Sequence, residues 1–497
     1  MKTRYLLPLI LIAVSAHAQN QAPDTVNVQW QRTQIISKTT LTLQVVVNPP
    51  LRRGSAMHDS IFTALQSLGC DYVRYVPWLP YPRLGVAELQ QPTPQRTFWD
   101  FSVIDPMTLD FLNATKGHPV ILNFSTIPAW MYKTSKPVTF PDDPYAVFWD
   151  YTQGNTPRDT TYREIADYYA RLYSWYTKGG FTDELGKRHE SGYHYPVPYW
   201  EVLNEVDFEH GNTPESYTRL YDAVTAAIKK ESPGTRFVGM ALADPNRPEW
   251  FEYFLNPKHH KGGTPLDMIS YHFYATGGVQ QGMDVLQYTF WDRADGFLNT
   301  TKFIDNIRKR LSPGTKTTID EVGSILDNDN EVPDRKTPIP NTYWNLSGAM
   351  YAYVYLGLAR IGIDIVGESQ LVGYPTQYPS VSMIDWKNGR PNARYWVLRL
   401  LKDNFGPGDK FVQSGLAGTE PEAGDALTQQ AIVTSHGRRL LLINRRNKTI
   451  RLVMPKEMIG TTMQVVDPST GDEAPAVIKV TETPVGLKPF AVAVVGG

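Results

Sequence analysis

Two apolar stretches of the chain end in acid. One reads Tyr199-Trp200-Glu201-Val202-Leu203-Asn204-Glu205, and the other Thr317-Thr318-Ile319-Asp320-Glu321-Val322-Gly323. A carboxyl group at the end of each of two strands suits one demanding reaction, the cleavage of a glycosidic bond. That reaction needs one carboxylic acid to protonate the leaving oxygen and one carboxylate to attack the anomeric carbon. Set roughly 5–5.5 Å apart, such a pair works by double displacement with retention. Glu205 and Glu321 are far apart in the chain, so only the fold can bring them to one sugar.

The elements that must do so are legible as a rhythm. Strand-like runs cover residues 41–47, 72–78, 120–124, 198–203, 237–242, 268–274, 317–322 and 363–366. Helix-like segments lie between them. Ile61, Leu65 and Leu68 have helical spacing, and Ile165, Tyr168, Leu172, Trp175 and Tyr176 form an apolar stripe ahead of Gly179-Gly180. Thr213-Pro214 reads as an N-cap and first-turn pair, and residues 346–361 as a further helix. Eight strands alternating with helices predict a closed parallel (β/α)8 TIM barrel, with chemistry where strands end and loops begin. Glu205 and Glu321 then terminate strands four and seven, which face each other across the barrel. The competing doubly wound sheet lacks its usual G-x-G-x-x-G after the first strand.

After Gly406-Pro407-Gly408 the pattern changes to short strands, with Ser435-His436-Gly437 as a hairpin turn. This part is expected to be an antiparallel β-sandwich, to which residues 25–31 add a strand. The resulting plan is a signal peptide over 1–18, an N-terminal segment over 19–40 joining the sandwich, the catalytic barrel over 41–406 and the sandwich over 407–497. The signal is read from Lys2 and Arg4, a short apolar run, and Ala16-His17-Ala18 as the cleavage pattern. It implies a secreted or periplasmic protein, and no later run is long and apolar enough for a membrane span.

Composition agrees. The 497 residues carry 49 Lys plus Arg against 50 Asp plus Glu, which argues against nucleic acid as a partner. Twelve Trp and 28 Tyr supply flat faces that suit pyranose rings, so the expected partner is a carbohydrate substrate. The single cysteine, Cys70, excludes an internal disulfide and any multi-cysteine metal site; it reads as a packing thiol. Neither metal nor organic cofactor is expected, and oligomeric state is not legible.

The motif Trp200-Glu201-Val202-Leu203-Asn204-Glu205 resembles the W-E-x-x-N-E end of strand four in clan A glycoside hydrolases. Within that clan the chain is most similar to glycoside hydrolase family 39, the β-xylosidase and α-L-iduronidase family, although Val206 stands where that family usually has proline. The resemblance implies Glu205 as acid/base and Glu321 as nucleophile. It makes Asn204 the partner of the sugar 2-hydroxyl, Arg74 the strand-two arginine beside the nucleophile, and Tyr274 the strand-six tyrosine that orients it. His272, on the same strand face as Tyr274, is placed in the same cavity, and Trp386 matches the aromatic sugar platform. The implied activity is a retaining, exo-acting β-glycosidase of β-xylosidase type. An endo-acting polysaccharide hydrolase and a non-catalytic carbohydrate-binding barrel are the alternatives.

Neighbouring residues have plainer readings. Strand alternation directs Asp320 away from Glu321, toward the helix layer. Glu201 sits deeper than Glu205 and reads as a structural ion pair with Arg74. His259-His260 reads as a solvated turn. The long third connection, residues 127–159, carries seven aromatics and is expected to wall the cleft, with Trp130 as its sugar contact.

Overall fold

A computed structural model of the protein describes residues 23–151, 154–278, 281–327, 329, 339–417 and 426–497. The N-terminal signal reading, over residues 1–18, lies outside the described residues.

The barrel is closed and parallel throughout. Its strands, in order, are Thr40–Val46, Val73–Val76, Val120–Leu122, Tyr199–Glu201, Arg236–Leu242, Met268–Gly277, Lys316–Leu326 and Ile365–Glu368. Each pairs with the next, and the eighth returns to the first through Ile365 opposite Thr40. All eight coincide with the expected runs. Each is followed by a helix: His58–Leu68, Ile104–Ala114, Arg163–Thr177, Pro214–Glu231, Pro248–Phe254, Met283–Leu311, Asn341–Ile361 and Ala393–Asn404. The TIM barrel expectation therefore holds, because strand-period and helix-period runs alternate without a break.

Local chemistry sets the ends of these elements. The first helix stops at Gly69, whose φ of 55° is the left-handed cap that a side chain resists. The helix after strand four starts in a capping box: Thr213 Oγ1 accepts from Ser216 N at 3.2 Å, and Ser216 Oγ accepts from Thr213 N at 2.9 Å. No described helix is long and apolar enough to cross a membrane.

A second, antiparallel-rich sheet of nine strands curls beside the barrel. Asp24–Ile36 pairs antiparallel with Lys410–Ala417, and the hairpin Leu427–Thr434 with Gly437–Asn444 closes at Thr434 opposite Gly437. Alternation along Gly437–Asn444 joins the two units. Leu440 and Leu442 enter the core of the curled sheet, whereas Leu441 and Ile443 join the core of the barrel. Trp291, on a barrel helix, also donates its indole N–H to Arg445 O at 2.7 Å.

The capping box is exposed, so its loss can be measured without disturbing the core. Thr213→Ala is expected to lower unfolding free energy by about 1 kcal/mol, read as a lower urea midpoint with unchanged slope. An unchanged midpoint would show that the cap contributes nothing.

Candidate active site

Strand four ends at Glu201, and the chain then turns sharply over the barrel mouth. Leu203 and Glu205 adopt φ values of 66° and 40°, a region that costs non-glycine residues about 1–3 kcal/mol each. The turn is held by its neighbours. Asn123 donates to Leu203 O at 3.0 Å, and the N–H groups of Phe208 and Glu209 both bond Glu205 O, at 2.9 and 2.7 Å. The Asp207 carboxylate accepts from the Ala243 and Asp244 amides. These contacts aim the Glu205 side chain back over the barrel axis.

Strand seven departs from regular pleating. Against strand six, Thr318 lies opposite Ser270 but Glu321 opposite His272, so three steps face two. The same slip occurs against strand eight, between Ile319 and Val322. This β-bulge corrects the expectation for Asp320. Instead of turning to the helix layer, Asp320 is buried beside Glu321, 3.4 Å from Arg74 Nε and 3.5 Å from His272 Nε2. Period-two alternation fails because one extra residue lets consecutive side chains share a face.

Arg74 is the hub. It is 1% exposed and spends its donors on four side chains. Nε donates to Glu201 at 2.5 Å, Nη1 to Gln44 at 2.8 Å and to Glu321 Oε1 at 2.6 Å, and Nη2 to Asn204 Oδ1 at 2.6 Å. The expected Glu201–Arg74 ion pair is therefore present. Burial alone would raise Glu201, but the charge of Arg74 and hydrogen bonds, including those from Ser270 and Asn123, hold it below its ordinary range. Asp320 goes the other way, raised well above its ordinary range by burial and by the Glu201 charge.

The second oxygen of Glu321 accepts from Tyr274 OH at 2.5 Å. A chain of donors stands behind it: Gln44 Nε2 lies 2.6 Å from Ser369 Oγ, which is 2.5 Å from Tyr274 OH. His272 Nδ1 is 3.0 Å from Glu205 Oε1 and 3.5 Å from Glu321 Oε2. One oxygen of Glu205, one of Glu321 and a ring nitrogen of His272 all lie within 4.8 Å of one another. Burial opposes charge on His272, yet the surrounding carboxylates prevail and push it up to about 9. The three side chains have the donor types of a cation site, and the same carboxylates favour a proton on the ring, which would compete with a metal for it. Glu205 is raised by burial, with the Glu321 charge adding and the His272 hydrogen bond opposing.

Glu205, Glu321 and Gln44 line a cavity of about 560 Å³, whereas His272, expected in the same cavity, lines a neighbouring one, its ring being buried among Glu205, Glu321 and Asp320. The side wall of the first cavity is aromatic. Trp78 packs edge-on against Trp149 with centroids 5.2 Å apart and stacks on Tyr378 at 6.1 Å. Phe208 stands at the mouth, 78% exposed. Asn204 and Tyr274 also line the cavity.

Of the residues singled out from sequence, Glu205, Glu321, Arg74, Asn204, His272 and Tyr274 converge. Trp130 and Trp386 do not line this cavity. The third connection folds back through a bridge between Tyr132 and Pro157, and Trp130 turns its N–H to Glu88 O at 2.8 Å beneath the Arg158 guanidinium. Trp149, farther along the same connection and 38% exposed, is the ring that reaches the site. Trp386 packs against the barrel core because Ile384 pairs with Val372 and Pro391, while Gln370 and Tyr378 take the place beside strand eight. Gln44, Trp78, Phe208, Glu209, Ser369 and Tyr378 were missed. Gln44 carried one signal, a polar residue inside an apolar strand. The His259-His260 reading also changes: the His260 ring is buried, 2.7 Å from Asp222 on the fourth helix. Cys70 is a buried thiol, pushed up to about 12 by burial.

No family model matches the chain, and no curated protein matches it in sequence. Solved structures do match in fold. A GH30 endoxylanase from Clostridium papyrosolvens C71 is 16% identical, with 95% of this chain and 99% of that one covered and a TM-score of 0.58. A GH51 α-L-arabinofuranosidase from Thermotoga petrophila RKU-1 is 15% identical over the same shares, with a TM-score of 0.60. A GH39 β-xylosidase from Caulobacter crescentus is 14% identical, again over 95% and 99%, at 0.58. The fold is that of the clan A glycoside hydrolases.

The imidazolium ties stability to pH. Its folded value of about 9 exceeds the ordinary 6.5, so its contribution is complete below pH 6.5 and is lost as pH rises through about 9. In urea titrations, the stability advantage of the wild type over His272→Gln is expected to shrink across that window. A gap constant from pH 6 to 9.5 would mean that His272 is not charged in the folded state.

Proposed function

We propose that the protein is a retaining O-glycoside hydrolase that acts by double displacement, exo-acting and of β-xylosidase type. The observation that carries this reading is the approach of a Glu205 oxygen to within 4.8 Å of a Glu321 oxygen at the cavity floor. That spacing matches a nucleophile and acid pair and is too close to seat the water of an inverting enzyme, whose carboxyl groups stand about 6.5–9.5 Å apart.

Glu321 attacks the anomeric carbon with one carboxylate oxygen while Glu205 transfers its proton to the glycosidic oxygen. The bond to the leaving alcohol breaks, and the sugar becomes an ester of Glu321. Glu205, now a carboxylate, takes a proton from water as the water oxygen attacks the same carbon. The ester breaks, the sugar leaves with its original configuration, and both residues regain their starting states. Charge logic supports the switch: esterification removes the Glu321 charge that helps raise Glu205, so an acid in the first half becomes a base in the second. Arg74 and Tyr274 each hold one Glu321 oxygen and orient the nucleophile.

The fold neighbours are a xylanase, an arabinofuranosidase and a β-xylosidase, which supports sugar cleavage as the class. The interlocked wall of Trp78, Trp149 and Tyr378 supports exo action by blocking one side of the cavity. Exposed Phe208, three residues after the acid, favours a second reading, an endo-acting hydrolase whose substrate runs out over the mouth. Chromatography of products from an oligosaccharide separates the two, single sugars for exo action and mixed lengths for endo. The N-terminal signal reading supports a location outside the cytoplasm.

A panel of aryl glycosides tests the class. Glu205→Ala is expected to lose about 10²–10⁴ in kcat/KM on substrates with poor leaving groups and much less on activated ones. Azide should restore its turnover by replacing the base-activated water. Glu321→Ala should be inactive throughout while remaining folded. Wild-type rates in either variant would end the hydrolase reading, and sugar binding without release would favour a non-catalytic carbohydrate-binding protein. The basic limb of the wild-type pH profile should vanish in Glu205→Gln, because that limb reports loss of the acid's raised proton.

A further inference from the structure

The loop that carries the acid also carries a third glutamate into the cavity wall. Glu209 is 3% exposed at its side chain and lines the cavity together with Asn204 and Trp78. A single oxygen, Oε1, accepts from Asn204 Nδ2 at 2.9 Å and from Trp78 Nε1 at 2.5 Å. Its other oxygen is buried with no hydrogen-bond partner among the described residues. The hydrogen bonds of this side chain therefore go to Asn204 and Trp78, while its Oε2 lies 3.8 Å from the buried His210 Nε2.

The consequence for Asn204 follows from its donor inventory. The amide oxygen is taken by Arg74 Nη2 at 2.6 Å, and of the two N–H donors one is taken by Glu209. With both ends held, the amide cannot rotate or flip, and its remaining N–H has one direction. A donor whose direction is set beforehand contributes more to a transition state than one that must be ordered on binding. The same Glu209 oxygen anchors the Trp78 indole, whose ring stacks on Tyr378 and meets the edge of Trp149.

We infer that Glu209 is a positioning residue: it locks the Asn204 amide so that its free N–H meets the 2-hydroxyl of the sugar, and it sets the aromatic wall at the matching distance. This rests on the hydrolase reading, and it adds a residue whose effect passes through Asn204 rather than through contact with the reacting atoms. Burial, with the Glu205 charge adding, raises Glu209 well above the ordinary carboxylate range.

The test compares two substrates: the aryl glycoside that the panel selects, and its 2-deoxy analogue. For Glu209→Ala, kcat/KM is expected to fall on the order of 10- to 100-fold on the 2-hydroxy substrate, mainly in kcat. On the 2-deoxy analogue the variant should stay within about threefold of the wild type, because the contact that Glu209 prepares is absent there. Asn204→Ala should show the same pattern, and adding Glu209→Ala to it should cost little more. Glu209→Leu, which refills the volume without accepting a hydrogen bond, is read by the same ratio if the alanine variant does not fold. Equal loss on both substrates, no loss on either, or failure of both variants to fold would overturn the inference and leave Glu209 a structural residue. Wild-type inactivity on the whole panel would sink the hydrolase reading itself, a distinct result.

Discussion

A guanidinium sealed inside a protein must be surrounded by compensating charge, and Arg74 organises this molecule on that principle. Removing one partner from such a buried set typically costs about 3–5 kcal/mol, because the remaining charge has no water to turn to. Arg74 therefore demands acceptors from several elements at once: Gln44 from the first strand, Glu201 from the fourth, Asn204 from the turn after it, and Glu321 from the seventh. A barrel is the fold that can satisfy it, since only a closed sheet turns the inner faces of non-neighbouring strands toward one point. The nucleophile candidate is thus positioned by the same contacts that keep the barrel interior neutral.

Around that hub the carboxyl groups divide their duties by environment. Glu201 faces Arg74 closely and stays ionised. Asp320, beside Glu201, is raised well above its ordinary range by burial and by the Glu201 charge, and Glu205 is raised by burial. Four carboxyl groups within one small volume repel one another when all are charged, so their proton affinities are driven apart. His272 completes the balance as a cation between Glu205 and Glu321. The strand-seven bulge makes this arrangement possible by turning two consecutive acids inward. The left-handed turns at Leu203 and Glu205 bring the third over the mouth. Local backbone strain and a broken pleat occur where the chemistry is concentrated, and the surrounding hydrogen bonds hold them in place.

Much of this could be read from residue order alone. The alternation of strand-period and helix-period segments specified a (β/α)8 barrel, because each pattern buries its apolar face in only one kind of layer. The Asn204-Glu205 pair and Glu321 sat at strand ends, and the barrel rule for strand ends drew attention to them. Arg74, His272 and Tyr274 followed from motif and from alternation along regular strands. Glu201 was assigned its ion pair for the same reason, its place on the inner face of a regular strand.

Other features depended on contacts that no local pattern encodes. Asp320 was misplaced because a bulge is decided by the neighbouring strands, and alternation counted along one strand cannot reveal it. Trp130, Trp149 and Trp386 look alike as loop aromatics, yet a bridge at Tyr132 and the pairing of Ile384 select which ring faces the cavity. Glu209 had no motif at all; its importance arises from two donors, just past strand two and on the turn after strand four, that meet only in three dimensions. Residue types and their periods determined the barrel and supplied its reactive groups, since those depend on nearest-neighbour sterics and on burial. Which acids hold their protons more tightly, and which rings face the cavity, was decided by tertiary structure, because both depend on distances between residues remote in the chain.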